Sequence, residues 1–472
     1  MKNKTLTIIA LLLINIAAYA QQTEQPQTFG LTLSGYIKTD VFYDTRQTVG
    51  GREGEFELYP ASKSLDANGT DIKAIGDFNI LSIQSRLTGK ITAPDVLGAK
   101  STGVFEGEFF GTAASGVSSS NAVLNNDVNG FRLRLGYVNL NWDNSTQILI
   151  GQAWHPLFIL DAAPATISYN TGTPFKTLSR NPQIKLSQAL NSNINVSLAF
   201  ITERDFQSCG PAGSVASATT YSFDTTNRTI KTTTTKNTDY TSTASTTYAQ
   251  DAIIPNTDLQ IAFRNDNFLF ALTGDYKIIE PLQSVTKNNV VVKTTETISS
   301  VIGQVTAKYK TTDFSVTVEG IYAQDPTSQF LIGGYAVKSI NATTGIPTFT
   351  NFTTGSFWTD IIYGSQLQVA LFAGYTENLG TSDNIDASAY SSIKSINYVY
   401  GYGVSAGKDG SIKDIIRLSP RVVLNYGKTR FGLELEYTSA AYGTSDATNK
   451  GKVINTYNES NIRVLFGAYI FF

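Results

Sequence analysis

RVLFGAYIFF, residues 463–472, closes the chain. Chain ends are commonly frayed and polar, yet this one is apolar and aromatic to its last side chain. Read from Ile462, the positions Ile462, Val464, Phe466, Ala468, Ile470 and Phe472 share one face. A repeat of two is that of a β-strand, whose successive side chains point to opposite sides. The terminal Phe is in phase with that face, so the segment reads as a strand buried along one side to its end.

The same alternation runs through the chain. In LTLSGYIKTDVFY (31–43), Leu31, Leu33, Ile37, Val41 and Tyr43 oppose Ser34, Lys38 and Asp40. In FRLRLGY (131–137), Phe131, Leu133, Leu135 and Tyr137 oppose Arg132 and Arg134. DFSVTVEGIY (313–322) and RFGLELEY (430–437) follow the rule. Short turn-forming connections such as APDVLGAK (93–100), DNST (143–146), NSN (191–193), RNDN (264–267), KTTD (310–313), YGSQ (363–366) and YGKT (426–429) alternate with long ones. The long segments lie at 46–75, 114–128, 154–180, 204–256, 279–297, 326–350, 379–410 and 440–460. This pattern predicts an all-β fold, a transmembrane antiparallel β-barrel of about 16 strands spanning 31–472, with short periplasmic turns and long extracellular loops.

A soluble sandwich would bury the apolar face in protein, but so many strands exceed one sandwich. A propeller would repeat every 40–50 residues, and no such internal repeat occurs. In hydrocarbon every backbone amide needs a partner, and a closed sheet provides one without edges.

Composition agrees. Only 16% of residues are charged, against about 25% in typical soluble domains. Lys+Arg number 36 and Asp+Glu 38, so no basic surface for nucleic acid is indicated. One cysteine, Cys209, and one histidine, His155, exclude a disulfide framework and multi-histidine metal sites. No cofactor is indicated. MKNKTLTIIALLLINIAAYA (1–20) reads as a secretory signal peptide, with Lys2 and Lys4 before an apolar run and Ala18-Tyr19-Ala20 as the cleavage site. A short periplasmic segment, 21–30, would precede the first strand. Lys63–Lys73 and 215–248 read as polar and structureless. The second is a Ser/Thr-rich tract within the long loop 204–256, with DTT (224–226) a weak glycosylation signal.

A charge turned to lipid at mid-depth costs about 2–4 kcal/mol, so charged strand positions should line the lumen. Those singled out are Lys38, Arg86, Glu106, Glu108, Arg132, Arg134, Arg417, Arg421 and Glu434. Glu106 and Glu108 beside Arg132 and Arg134 form either a stiffening cross-strand ladder or a charged constriction that sorts solutes by sign. The loop 154–180 is apolar and aromatic, unlike the others. It reads as folding inward to narrow the channel, or as packing across the mouth or at a subunit contact. His155, Phe158 and Asp161 are its candidate constriction residues. With no nucleophile arranged around it, His155 reads as a packed histidine, and no enzyme is indicated.

Several runs together resemble the porins of Bacteroidota outer membranes and are similar to the DcaP-like sixteen-stranded trimeric porins. They are SGYIKTDVFYDTRQTVGGREGEFELYPA (34–61), SIQSRLTGKITAPDVLGAKSTGVFEGEFFG (82–111), GQAWHPLF (151–158), SRNPQIKLSQ (179–188), LFAGYTENLG (371–380), RLSPRVVLNYGKTRFGLELEYTSAAYG (417–443) and the final Phe. The resemblance implies a homotrimer in the outer membrane that passes small hydrophilic, often anionic, solutes, with a third loop inside the pore. It also implies that the last strand, through Phe466, Ile470 and Phe472, serves recognition by the barrel-assembly machinery. The chain departs from members with an N-terminal coiled coil, since only QQTEQPQTFG (21–30) precedes the first strand. An active transporter would need a plug domain that those residues cannot supply. A barrel that only scaffolds a surface complex, with a blocked lumen, remains the alternative to a channel.

Overall fold

The computed structural model describes residues 29–111, 130–210, 217–224, 227, 229–236, 240–244, 254–288, 290–387, 398–405 and 410–472. The segment 1–20 read as a signal peptide and the second long loop, 114–128, lie outside the described residues. Among those described, no helix is long and apolar enough to cross a membrane.

Sixteen strands carry the fold: β1 (Gly30–Asp44), β2 (Arg86–Val96, continued above a break by Asp77–Leu81), β3 (Ala99–Gly111), β4 (Gly130–Asn141), β5 (Thr146–Trp154), β6 (Arg180–Ala189), β7 (Ile194–Ile201) and β8 (Asn256–Arg264) form one half. The other half is β9 (Phe268–Ile279), β10 (Ile298–Lys310), β11 (Phe314–Gln324), β12 (Pro347–Tyr363), β13 (Leu367–Thr381), β14 (Ser411–Tyr426), β15 (Thr429–Asp446) and β16 (Lys452–Phe471). Each pairs antiparallel with its sequence neighbours. β16 then pairs with β1, from Tyr36 opposite Phe471 to Asp44 opposite Arg463. The barrel is therefore closed, and the apolar C-terminal segment is the strand that closes it. Beyond the ladder, Phe472 N–H donates to Gly35 O at 3.1 Å.

The outward side chains are apolar and accessible: Leu33, Ile37, Leu272, Val305, Val369, Leu433 and Phe466 are all more than one-third exposed. Aromatic residues stand eight positions apart on the outer face, Phe268 and Tyr276 on β9, Phe314 and Tyr322 on β11. On strands tilted by roughly 40° that spacing spans about 20 Å, close to the height of the apolar band of such barrels.

Four expectations are corrected. First, β4 does not alternate throughout. A bulge places Glu106 opposite Leu135 and Gly107 opposite Leu133, so Arg134 and Leu135 both face inward. The phase then flips: Val138 is 53% exposed on the outside, and Tyr137 lines an interior cavity. An extra residue on one strand does this by shifting every later side chain to the other face. Second, the first long loop is not wholly external. Its hairpin, Thr48–Gly51 with Phe56–Pro60, lies inside the barrel with Glu55–Pro60 buried. Third, Lys63–Lys73 is ordered. Asp66 Oδ1 accepts from Asn68 N and Thr70 N, both at 2.8 Å, and Asp71 pairs with Arg46 at 2.7 Å. Within 215–248, Ser217–Asp224 pairs antiparallel with Thr229–Lys236. Fourth, 440–460 is mostly strand, because β15 and β16 extend until only 447–451 joins them.

Candidate functional site

The chain between β5 and β6, residues 155–179, crosses the barrel interior. Its sequence explains why. Leu157, Phe158, Ile159, Ile167, Phe175 and Leu178 are all at most 6% exposed, and water cannot stabilise such a run as a free loop. The wall opposite is built to receive them. Ile167 packs onto Gly432 and Gly467, and Phe175 onto Gly374. A Cβ at those three glycines would lie 2.2, 2.6 and 2.4 Å from the incoming side chain, so only glycine leaves the space.

Polar groups of the wall bond the segment's backbone. Lys38 Nζ donates to Ile167 O at 2.7 Å, Gln304 to Leu157 O at 2.7 Å, and Ser356 Oγ to Phe175 O at 2.8 Å. Asp360 Oδ2 accepts from Ala165 N at 2.9 Å, and Glu434 Oε2 accepts from Ile167 N and Ser168 N. Arg417 Nη1 donates to Thr173 O at 2.6 Å while its Nη2 reaches Glu57 O and Leu58 O of the hairpin, both at 3.2 Å. Arg463 holds the same hairpin through Gly54 O and Glu55 O, and pairs with Asp44 at 2.7 Å. Lys38, Arg417, Arg463, Asp360 and Glu434 thus each keep at least one hydrogen-bonded partner, as a low-dielectric site favours.

The sequence-predicted residues fall into two groups. Lys38, Glu108, Arg134, Arg417, Arg421 and Glu434 are at most 3% exposed. They hold the inward segment, the hairpin or each other; Arg421 pairs with Asp360 at 2.8 Å. Arg86, Glu106 and Arg132 have side chains 18%, 12% and 18% exposed. They keep solvent contact on the β2–β4 wall, at the level of the inward segment. They are joined by the ladder Arg134–Glu106 at 2.8 Å, Arg132–Glu108 at 2.6 Å, Arg86–Glu108 at 3.3 Å and the Arg134–Glu108 pair. Two further arginines gather there. Arg180 pairs with Asp205 at 2.7 Å, and Arg52 donates to Phe110 O. Five guanidiniums against Glu106, Glu108 and Asp205 leave a positive excess at this level.

Within the inward segment, His155 is 1% exposed; its Nδ1 accepts from Leu157 N at 3.3 Å, and its Nε2 stands 3.6 Å from Asp275. Phe158 stacks on Trp154 with ring centroids 4.1 Å apart. Asp161 is exposed and pairs with Arg264. Phe466, Ile470 and Phe472 are 42%, 57% and 50% exposed on the outer face.

Sequence reasoning set Lys90 and Arg430 inward but missed the rest of the short-turn half of the inner wall. Lys90, Lys100, Lys185, Arg264, Lys308, Lys310 and Arg430 share the inward face of their strands and retain solvent contact. The inward wall carboxylates nearest that half, Asp258, Asp360 and Glu434, are buried, and the exposed Asp161 of the inward segment offsets one charge by pairing with Arg264. Asp95, Asp143, Asp266 and Asp313 lie at the turns. The alternation carried the signal: in QIKLS, exposed Ile184 and Leu186 already set Lys185 inward.

No family model and no curated relative matches the sequence. Solved structures are similar to this chain, and that of the DcaP channel shares the fold. The outer membrane channel DcaP of Acinetobacter baumannii superposes with a TM-score of 0.59 at 12% identity, over 95% of this chain and 99% of that one. The OmpT outer membrane protein of Vibrio cholerae, trimer form, gives 0.49 at 10% identity over 94% and 100%. The anion-selective porin from Comamonas acidovorans gives 0.47 at 13% over 94% and 100%.

Proposed function

We propose that this protein is a passive diffusion channel of a Gram-negative outer membrane, working as a homotrimer and favouring small hydrophilic anions. Closure of the sheet with an apolar outer face supports a membrane setting. The fold shared with the DcaP channel is consistent with a porin-type role, as is the resemblance to Bacteroidota porins. The observation that carries the anion preference is the charge of the inner wall. Seven basic side chains keep solvent contact on the short-turn half, and the partly exposed Arg86 and Arg132 continue the positive series at the constriction. Field lines focused by a low-dielectric wall raise the local anion concentration and lower the cation flux. Solutes move down their gradient, and no bond is made or broken.

Arg86, Glu106 and Arg132 are the residues proposed to meet the solute. Lys38, Glu108, Arg134, Arg417, Arg421 and Glu434 are proposed to set the aperture by holding the inward segment and hairpin. Phe466, Ile470 and Phe472 are proposed to act in assembly. A second reading, a scaffold with a blocked lumen, is favoured by the complete burial of Lys38, Arg417 and Arg463 beneath the hairpin and inward segment. Planar-bilayer recording in a KCl gradient separates the two. Discrete open steps with a reversal potential on the chloride side support the channel; silence supports the scaffold. Native mass spectrometry in detergent tests the trimer.

A further inference from the structure

Between the start of the inward segment and the β4–β8 wall, in the short-turn half, lies a cavity of about 290 Å³. Its apolar side is formed by Leu149, Trp154, Phe158 and Ile159, and its polar side by Lys185, Gln260 and the Asp161–Arg264 pair. The amide and the other cations there are already satisfied, while His155 Nε2 and the carboxylate of Asp258 make no hydrogen bond. Gln260 Nε2 donates to Pro156 O at 2.8 Å, Arg264 pairs with Asp161, and Lys308 Nζ donates to Asp161 O at 2.6 Å. Lys185 differs. It is half-buried, yet its ammonium makes no hydrogen bond and no ion pair within 4 Å among the described residues. The acid that its charge feels, Asp258, sits on the next strand but one, since both face Ala199 of β7.

We propose that this cavity is a binding site for a small amphipathic monoanion, whose carboxylate pairs with Lys185 and whose apolar body lies against Leu149, Phe158 and Trp154. A partly desolvated ammonium without a partner is costly, and an incoming carboxylate removes that cost by a charge-assisted hydrogen bond. The apolar side removes hydrocarbon from water at the same time. Neither half of the chemistry suffices alone: an inorganic anion leaves the apolar side wet, and a neutral alcohol leaves Lys185 unpaired. Sites of this size with a few convergent polar groups on an apolar lining are typical of small-ligand pockets. The proposal deepens the channel reading and rests on it for the route by which the ligand arrives.

The test is equilibrium binding to the purified full-length protein in detergent, read by intrinsic fluorescence. Trp154 lines the cavity, and Trp154→Phe serves as the signal control. Hexanoate should give a saturable change at least tenfold tighter than acetate or hexanol. Lys185→Gln should weaken hexanoate at least tenfold while leaving hexanol unchanged, and Lys185→Arg should restore hexanoate. Equal binding of hexanol and hexanoate, equal binding of acetate and hexanoate, or an unaltered Lys185→Gln overturns the site. Should Lys185→Gln fail to fold, shown by loss of heat-modifiable mobility on gels, the comparison of the three probes on the unaltered protein still decides. Saturable hexanoate binding by a protein silent in bilayers leaves the site standing and removes the channel; a conducting protein that ignores hexanoate does the reverse.

Discussion

Ile167 rests on Gly432, so closely that a Cβ at 432 would stand 2.2 Å from Ile167 Cδ1. The contact joins residues far apart in the chain and pins the inward segment to the opposite wall. Gly432→Val fills the space that Ile167 occupies and should displace the segment. Single-channel conductance is expected to rise, and residues 155–179 to become accessible to protease. Ile167→Ala should act in the same direction, losing about 2–5 kcal/mol of packing. Unchanged conductance in both variants would show that the segment does not limit the aperture.

Arg417 and Arg132 separate holding from sorting. Arg417 is 1% exposed and bonds Thr173 O, Glu57 O, Leu58 O and Thr438 Oγ1. Arg417→Ala removes the guanidinium from those acceptors and from Glu436, 3.5 Å away, which keeps only Asn170, and should destabilise by about 3–5 kcal/mol, read as a lower urea midpoint. Arg132→Gln, at a partly exposed position, should cost at most about 1 kcal/mol and instead move the reversal potential toward cation permeation. Reversal of these two outcomes would refute the assignment.

Asp71 fastens the ordered turn that follows the inward hairpin. Burial pushes its carboxyl up, but donors outweigh that: Ser64 N at 2.9 Å, Arg46 at 2.7 Å and Lys73 N at 3.1 Å bring it to about 2. A carboxyl lowered in the folded state adds stability above its unfolded value, near 4, and loses it as pH falls through about 2. The turn at 61–74 should therefore stay protected from hydrogen exchange down to pH 4 and open between 4 and 2. Asp71→Asn should open it at pH 7.

Phe472 extends the closing ladder by one residue and keeps half its surface outside. Deleting it removes little packing, so a detergent-refolded variant should unfold within a few degrees of the parent. The amount reaching the outer membrane in cells should fall several-fold. An equal loss in both assays would assign Phe472 to stability rather than assembly.

The barrel is legible in the order of residues alone. Alternation of period two separates a lipid face from a lumen face along the strands, β4 beyond its bulge excepted, and the short turns and long loops set the count of sixteen. These are local properties, fixed by backbone geometry and by the cost of placing charge in hydrocarbon. That order also marked 154–180 as too apolar to remain in water. What fills the interior depends on contacts between distant parts of the chain. The hairpin at 48–60 reads locally as an ordinary external connection; it lies inside because Arg417 and Arg463, hundreds of residues away, bond its carbonyls. The bulge at Arg134 and Leu135 turns Tyr137 inward by one inserted residue. Among the charges that alternation assigned to the lumen, burial under these inward pieces separates Arg417 and Glu434 from Arg86 and Arg132. That separation depends on which side chains meet across the barrel, and no local pattern records it.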